Sequence, residues 1–278
     1  MNPFCALLLL AGAPFAFRET APGCLELRER DRPVYVYNFG MMLKEGVPED
    51  RRRSGYLHPV WTPGGVVITD DFPPDHHHHR GIFWAWPQVK VAGQTLDLWA
   101  IHGLHQRFVR WGRREVGVWG ARLEIENGWF AGERKLLSEL VEIIAYAARE
   151  GQRDLDFTLT LEALEPLELS GEPTQRKGYG GFSVRFAQRR ETRIYTDRGL
   201  EKEDSNMVPH PWAELEGDFG GRPAGLRVEI SPSHPGFPNG WCLRHYGFLG
   251  VNYPGLDTLR LDPHRPLRLK YRVTVYDR

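Results

Sequence analysis

The sequence predicts an all-β protein, a large antiparallel β-sandwich, and three observations predict it. Short runs rich in Val, Ile, Tyr, Phe and Thr alternate apolar and polar residues, most clearly at Asp154–Leu161 (D-L-D-F-T-L-T-L). Turn chemistry is dense, with 21 Pro and 30 Gly interrupting those runs at regular spacing. The 278 residues are 41% hydrophobic, enough core for one unit, because sandwiches run past about two hundred residues as single domains. No repeat at fixed period and no linker divides the chain, so residues 21–278 read as one β-sandwich domain.

Residues 1–20 carry two readings. Phe4–Phe17 is apolar over 14 residues, with Gly12 and Pro14 inside it, too short to span a bilayer. Leu7–Leu10 followed by A-G-A resembles a signal-peptide core with a small-residue cleavage site, although no Lys or Arg precedes it. That pattern favours an exported, periplasmic protein over a cytoplasmic one; the alternative is a first strand at Phe15–Glu19. No other stretch could be transmembrane.

Cys24–Arg28 and Pro33–Asn38 then form a hairpin turned at Arg30-Asp31. A charged loop over residues 44–53 leads to Gly55–Trp61, a T-P-G-G turn and Val66–Thr69. Ile82–Trp86 is an apolar, aromatic strand. Glycines punctuate the middle of the chain, and Asn127-Gly128 is a hairpin signal. Between Glu133 and Arg149, Leu137, Leu140, Val141, Ile144 and Ala148 recur at helical spacing, but the residues also alternate, and the β context favours a strand. Phe182–Ala187, Thr192–Thr196, Leu226–Ile230 and Arg268–Tyr276 complete the set.

Lys+Arg and Asp+Glu both number 36, so no net charge draws the chain to nucleic acid or anionic membrane. Three cysteines, Cys5, Cys24 and Cys242, without a C-x-x-C, indicate neither a disulfide framework nor a zinc knuckle. Cys24 and Cys242 could pair only if the fold brings them together.

The chemistry concentrates at Asp75–Trp86, D-H-H-H-H-R-G-I-F-W-A-W. If residues 76–79 are extended, His76 and His78 share one face, and His77 and His79 the other. His58 lies one predicted hairpin upstream, where it could meet His76 or His78. Three neutral imidazoles with an open position suit a divalent transition metal held by His58, His76 and His78. The same imidazoles, metal-free, suit proton transfer. His58, His76, His78 and His79 are therefore the candidate catalytic residues, weighed against two solvent-facing and two structural histidines. Arg80 is the favoured substrate anchor, since a guanidinium holds a carboxylate or a diol with paired bonds; the alternative is an ion pair with Asp71 or Asp75. Trp61, Trp84, Trp86, Trp99, Trp212 and Trp241 offer indole faces for sugar C–H surfaces, though a sandwich tryptophan is as a rule core; Trp84, Trp86, Trp212 and Trp241 are the binding candidates among them. Trp84 or Trp86 should flank the histidines. Lys177 and Tyr179, in the flexible turn G-Y-G-G, and Arg185 complete the candidate binding set. No nucleophile motif and no nucleotide or flavin fingerprint occurs. Among Glu124, Glu126, Glu139, Glu142 and Glu229, nothing ranks a catalytic carboxylate.

The run from Arg53 to Trp86, R-S-G-Y-L-H-P-V-W-T-P-G-G-V-V-I-T-D-D-F-P-P-D-H-H-H-H-R-G-I-F-W-A-W, closely resembles the N-terminal signature of a bacterial family of unknown function, DUF6807, labelled methane oxygenase-like or PmoA-like. K-G-Y-G-G-F-S-V-R-F at Lys177–Phe186, P-W-A-E-L at Pro211–Leu215 and W-C-L-R-H-Y-G at Trp241–Gly247 agree with it. The oxygenase label implies a membrane copper protein, for which this chain has no spans. The resemblance implies a supersandwich like that of galactose mutarotases, an analogy of fold and not of function. Where relatives carry an Asp-His pair and a later His-Pro, this chain has Ile230-Ser231 and Phe237-Pro238, with His234 the spatial substitute.

The expected function is an enzyme of isomerase, epimerase or lyase type, using histidine acid–base chemistry on a sugar or sugar derivative. A non-catalytic carbohydrate-binding protein is the first alternative, and a metal-dependent enzyme with a three-histidine site the second. Oligomeric state is not legible.

Overall fold

A computed structural model describes residues 14–278, and among them it is built of strands and loops, with two single turns of 3-10 helix at Glu49–Arg51 and Thr174–Arg176. The strands, numbered along the chain, form three sheets in which every pairing is antiparallel. The first has the order β1 (Phe15–Ala21), β2 (Cys24–Glu29), β3 (Arg32–Asn38), β4 (Tyr56–Val60), β5 (Ile82–Ala85), β13 (Gly181–Arg185), β20 (Phe248–Asn252), β19 (Gly240–Arg244) and β16 (Ser205–Pro209). The second runs β15 (Gly199–Glu201), β14 (Arg190–Thr196), β17 (Trp212–Asp218), β18 (Pro223–Ile230), β22 (Leu267–Asp277), β11 (Gln152–Ala163), β10 (Arg134–Tyr146), β9 (Gly120–Ala131) and β8 (His105–Gly117). A small third sheet joins β21 (Leu259–Leu261), β12 (Leu167–Ser170), β6 (Gln88–Val91) and β7 (Gln94–Leu96).

The two large sheets bury their facing sides in one contiguous apolar cluster, giving the expected sandwich. Phe182 of the first sheet lies between Phe157 and Tyr271 of the second, at ring-centroid distances of 5.2 and 4.4 Å. Trp86 meets Trp129 at 5.3 Å. Fully buried aromatics of this size contribute about 1.5–3 kcal/mol each, so these contacts tie the sheets together.

The ambiguous 133–149 segment is a strand, β10, paired along most of its length with β9 and β11, so its backbone groups are satisfied across the sheet. The hairpin signal at Asn127-Gly128 is overturned. Both residues sit within β9, opposite Glu139 and Ser138, and the chain turns later, at Gly132 with φ +60°. A buried partner wins over turn propensity here: the Asn127 amide donates to Glu139 and to the Tyr37 hydroxyl at 2.9 Å each. Val66–Thr69 makes isolated bridges to Trp61 and Phe186 and no strand.

β1 occupies the position of the expected first strand and pairs with β2, while Leu7–Leu10 and Cys5 lie outside the described residues. Cys24 and Cys242 are both buried free thiols, so the pairing left open by the sequence does not occur. Among the described residues no helix is long and apolar enough to cross a membrane.

Alternation fixes where the site sits. In β13, Phe182 and Val184 point into the sandwich, so Ser183 and Arg185 emerge on the other face, as do Phe248, Gly250 and Asn252 of the paired β20. The loop joining β4 to β5, which carries the histidine run, folds over this outer face. The Asp70 N–H donates to the Arg185 carbonyl at 3.0 Å, and His79 stacks on Phe248 at 4.9 Å.

Candidate active site around the histidine turn

The four histidines are not extended. The His76 N–H donates to the Pro73 carbonyl at 3.0 Å and the His79 N–H to the His76 carbonyl at 2.8 Å, making two consecutive four-residue turns. Pro73-Pro74 supplies no ladder donor, and Phe72 takes a positive φ of 49° where the chain doubles back. The period-two expectation therefore fails, and the rings gather by turn geometry instead. His76 stacks on His79 with centroids 4.5 Å apart and planes 4° from parallel. His78 stands edge-on to both, at 5.7 and 4.7 Å. His77 contributes its carbonyl to Arg80.

Arg80 holds this turn together and is not the substrate anchor expected. Its side chain is 0% exposed, lies 3.4 Å from the Phe72 ring centroid, and donates to the carbonyls of His77, His79 and Arg51 at 2.6, 2.7 and 2.6 Å. Neither Asp71 nor Asp75 pairs with it: Asp71 meets His58 and Tyr56, and Asp75 meets Arg185 and His76. Arg53, buried beside it, donates to the carbonyls of His78, Trp99 and Leu98. Burial pushes Arg80 down to about 10 and Arg53 to about 9, so both keep their charge at neutral pH.

His58 takes a different place from the one expected. Its Nδ1 lies 3.1 Å from Thr69 Oγ1 and its Nε2 3.3 Å from Asp71 Oδ1, while the Tyr56 hydroxyl donates to Asp71 Oδ2 at 3.1 Å. Thr69 Oγ1 accepts the Val60 N–H, leaving its O–H for His58 Nδ1. Burial lowers the His58 pKa, against the pull of Asp71 and Asp70. His58 thus belongs to its own Thr69–His58–Asp71–Tyr56 chain. Among the described residues no three His, Cys, Asp or Glu side chains are arranged to hold a metal ion, so His58, His76 and His78 do not form such a group.

The accessible part of the cluster is His76, whose side chain is 36% exposed. One ring face is covered by His79 and the other by Tyr246, at 5.3 Å and 14° from parallel. Its Nδ1 lies 3.0 Å from Asp75 Oδ2, off the hydrogen-bond line. The same carboxylate takes both oxygens to Arg185 Nη2 at 2.8 Å. Burial pushes Asp75 up, but the Arg185 bonds and the neighbouring His76 outweigh it and hold the carboxyl below its ordinary range. His78 is driven down to about 3, first by burial and then by His76, Arg53, Arg51 and Arg80; His79 falls well below its ordinary value by burial and then by His78, His76, Arg185 and Arg53. Both are neutral imidazoles at pH 7.

Trp99 faces His78 and His79 at 6.2 and 5.7 Å and meets Tyr179 at 4.9 Å, so it fills the flanking role expected of Trp84 or Trp86. Burial raises Tyr179 to about 12. Trp99 is one of the six tryptophans weighed from sequence without being ranked as a binding candidate, and Tyr246 is passed over there. Tyr246 lies inside the W-C-L-R-H-Y-G stretch, whose tryptophan drew the attention.

Several candidates belong to the core. Trp84 stacks on Phe182, Trp86 donates to the Tyr253 carbonyl, and Trp241 donates to the His210 carbonyl; all three are fully buried and out of a ligand's reach. Buried His234 bonds the Tyr271 hydroxyl and the Pro235 carbonyl, each at 2.8 Å, which pins it between loop and sheet and removes it as a stand-in catalytic group. Trp212 lies under Arg227 on the second sheet, 4.3 Å from ring centroid to guanidinium carbon. The Lys177 carbonyl accepts from the Asn252 side chain.

Of the carboxylates considered, Glu139 alone is fully buried. It accepts from Gln106, from Asn127 and from Trp129 Nε1, and burial raises its pKa. It sits between the sheets among the core residues, away from solvent. The acids beside the imidazoles are instead Asp70, Asp71 and Asp75.

No curated protein matches the chain. Among solved structures it is similar to a heparinase III gene product at a TM-score of 0.37 and 9% identity, over 96% of this chain and 35% of that one. A methylated-lysine form of that heparinase III scores 0.30 at 9% identity, over 92% of this chain and 29% of the other. A 4-alpha-glucanotransferase from Thermococcus litoralis scores 0.27 at 11% identity, over 97% of this chain and 38% of that one. The chain spans about a third of the length of these structures, and likenesses so remote define no common active site. Sequence supplies the firmer relation: with residues 24–278 matched, the chain belongs to the family of unknown function DUF6807.

Proposed function

We propose that this chain is an enzyme that moves a proton on a small hydroxylated substrate, a sugar or sugar derivative, with His76 as the acid–base group. One observation carries the reading: an exposed imidazole with a carboxylate, Asp75, at one nitrogen and an aromatic ring on each face. A carboxylate at Nδ1 favours the tautomer with Nδ1–H and leaves Nε2 free to accept a proton, and such bonds tighten when substrate binds. Stacking on buried His79 holds the ring plane, which is the positioning that proton transfer needs. Neutral His78 neither repels a cationic transition state strongly nor competes for the proton. Tyr179 and Tyr246 offer faces for sugar C–H surfaces, with charged side chains beside them for hydroxyls. Proton movement at carbon fits an isomerase, epimerase or lyase.

The test is a panel of free sugars, lactones and sugar acids incubated with the protein in D2O and followed by proton NMR. Turnover or deuterium uptake by wild type, lost by at least a hundredfold in His76→Ala, is the expected result. Turnover equal in the two proteins would sink the assignment. Ligand binding with no turnover by wild type would make the chain a carbohydrate-binding protein instead.

A further inference from the structure

We infer that the substrate carries a carboxylate, which Arg185 binds after Tyr246 moves aside; this rests on the acid–base reading of His76 and names its substrate class. The ground under the histidine turn is positively charged and incompletely neutralised. Arg53 and Arg80, both buried, bond only to backbone carbonyls, and among the described residues neither has a carboxylate within 4.0 Å. A buried charge without a counter-charge is costly, and an anion bound nearby relieves it.

Arg185 is the group able to bind that anion. It is 6% exposed and uses only Nη2, on Asp75; its Nη1 and Nε are buried with no partner. Nη1 and the second N–H of Nη2 form one edge of the guanidinium, a fork that a planar, two-oxygen acceptor can take while Asp75 keeps the first N–H of Nη2. Its one ion-pair partner, Asp75, is 45% exposed and stays beside His76 when the ligand takes the other donors.

Tyr246 covers both halves of the site. Its ring centroid lies 4.8 Å from the Arg185 guanidinium carbon and 5.3 Å from the His76 ring. It is 43% exposed and sits on the tight turn between β19 and β20, closed by the Gly247 N–H on the Arg244 carbonyl at 2.9 Å. Nothing but ring contacts ties its side chain down among the described residues, so it can swing out. One small ligand entering there meets the fork and the imidazole together.

That placement has a chemical consequence. A C–H bond next to a carboxylate becomes more acidic when a guanidinium neutralises the carboxylate charge. The bond breaks, its electron pair passes into the carboxylate as an enediolate held by Arg185, and the proton goes to His76 Nε2. Return of a proton to the same carbon restores the acid, with inverted or retained configuration.

The experiment uses matched pairs: galacturonate against galactose, glucuronate against glucose, and glucose 6-phosphate as a non-planar anion. Affinity is read by calorimetry and exchange of the C–H proton by NMR in D2O. The acids should bind at least about tenfold more tightly than the neutral sugars, with the preference cut roughly tenfold to a hundredfold in Arg185→Lys. Should that variant not fold, the wild-type preference decides alone. Neutral sugars preferred, or phosphate bound as well as the acids, would overturn the carboxylate assignment and leave the role of His76 standing. Arg185-dependent binding of acids with no C–H exchange would support the ligand class and refute the acid–base reading.

Discussion

Replacing Arg80 should unfold the histidine turn before it affects anything else. The side chain makes three charged hydrogen bonds to carbonyls at 2.6–2.7 Å with no exposure to solvent. Bonds to a charged group contribute about 1.5–3 kcal/mol each, a gross value of roughly 5–9 kcal/mol for three. Water entering the gap recovers part of that, and removing a buried cation returns its desolvation cost, which is visible in the downward push on Arg80. A net loss of about 3–5 kcal/mol remains for Arg80→Ala, equivalent to a fall in Tm of roughly 6–15 °C for a chain of this size. Arg80→Lys, with one nitrogen in place of the fork, should lie between wild type and alanine. Urea and thermal unfolding followed by circular dichroism measure both. Stability within about 0.5 kcal/mol of wild type in Arg80→Ala would refute the clamp, and loss of ligand binding in such a stable variant would restore Arg80 as the anchor.

Buried Glu139 should make stability depend on pH in a defined direction. Its folded pKa lies above the unfolded one, so the contribution is full at low pH and is lost as pH rises through the folded value. The stability advantage of wild type over Glu139→Gln should therefore shrink from pH 4 to pH 7 in denaturant titrations; a constant gap would contradict it. His234 has the opposite sign, being held down to about 4 by burial, so its contribution is present above pH 6.5 and lost between there and pH 4. His234→Gln should flatten acid destabilisation in that window, and an unchanged slope would count against the Tyr271 contact. Trp84→Ala and Trp99→Ala, at 0% and 4% exposure, should each cost about 3–5 kcal/mol by cavity formation. Stability within about 0.5 kcal/mol of wild type in either variant would mean that its ring is not packed as described.

The sandwich was legible because alternation survives locally: in β11 each apolar residue of D-L-D-F-T-L-T-L points inward. The same rule applied to Leu137, Glu139, Val141 and Ile143 would have put Glu139 inside, but the competing helical spacing hid it. The histidine run stood out in the sequence by its composition, but its turn geometry was not legible there. Turn formation there depends on Arg80 collecting three carbonyls, one of them from the distant Arg51, and no local propensity encodes that. Trp84 and Trp86 sit next to the histidines in sequence, yet the strand carries them into the sandwich; Trp99 and Tyr246 arrive from other loops. Proximity along the chain misled where proximity across the sheet decided.

The most direct test of the central claim is the nitrogen-15 NMR spectrum of the His76 side chain, assigned by comparison with His76→Ala, before and after addition of a sugar acid. The acid–base reading predicts a proton at Nδ1, facing Asp75, and an Nε2 resonance that moves when ligand binds. A ring protonated at Nε2, or an Nε2 resonance indifferent to every sugar and sugar acid offered, would contradict it.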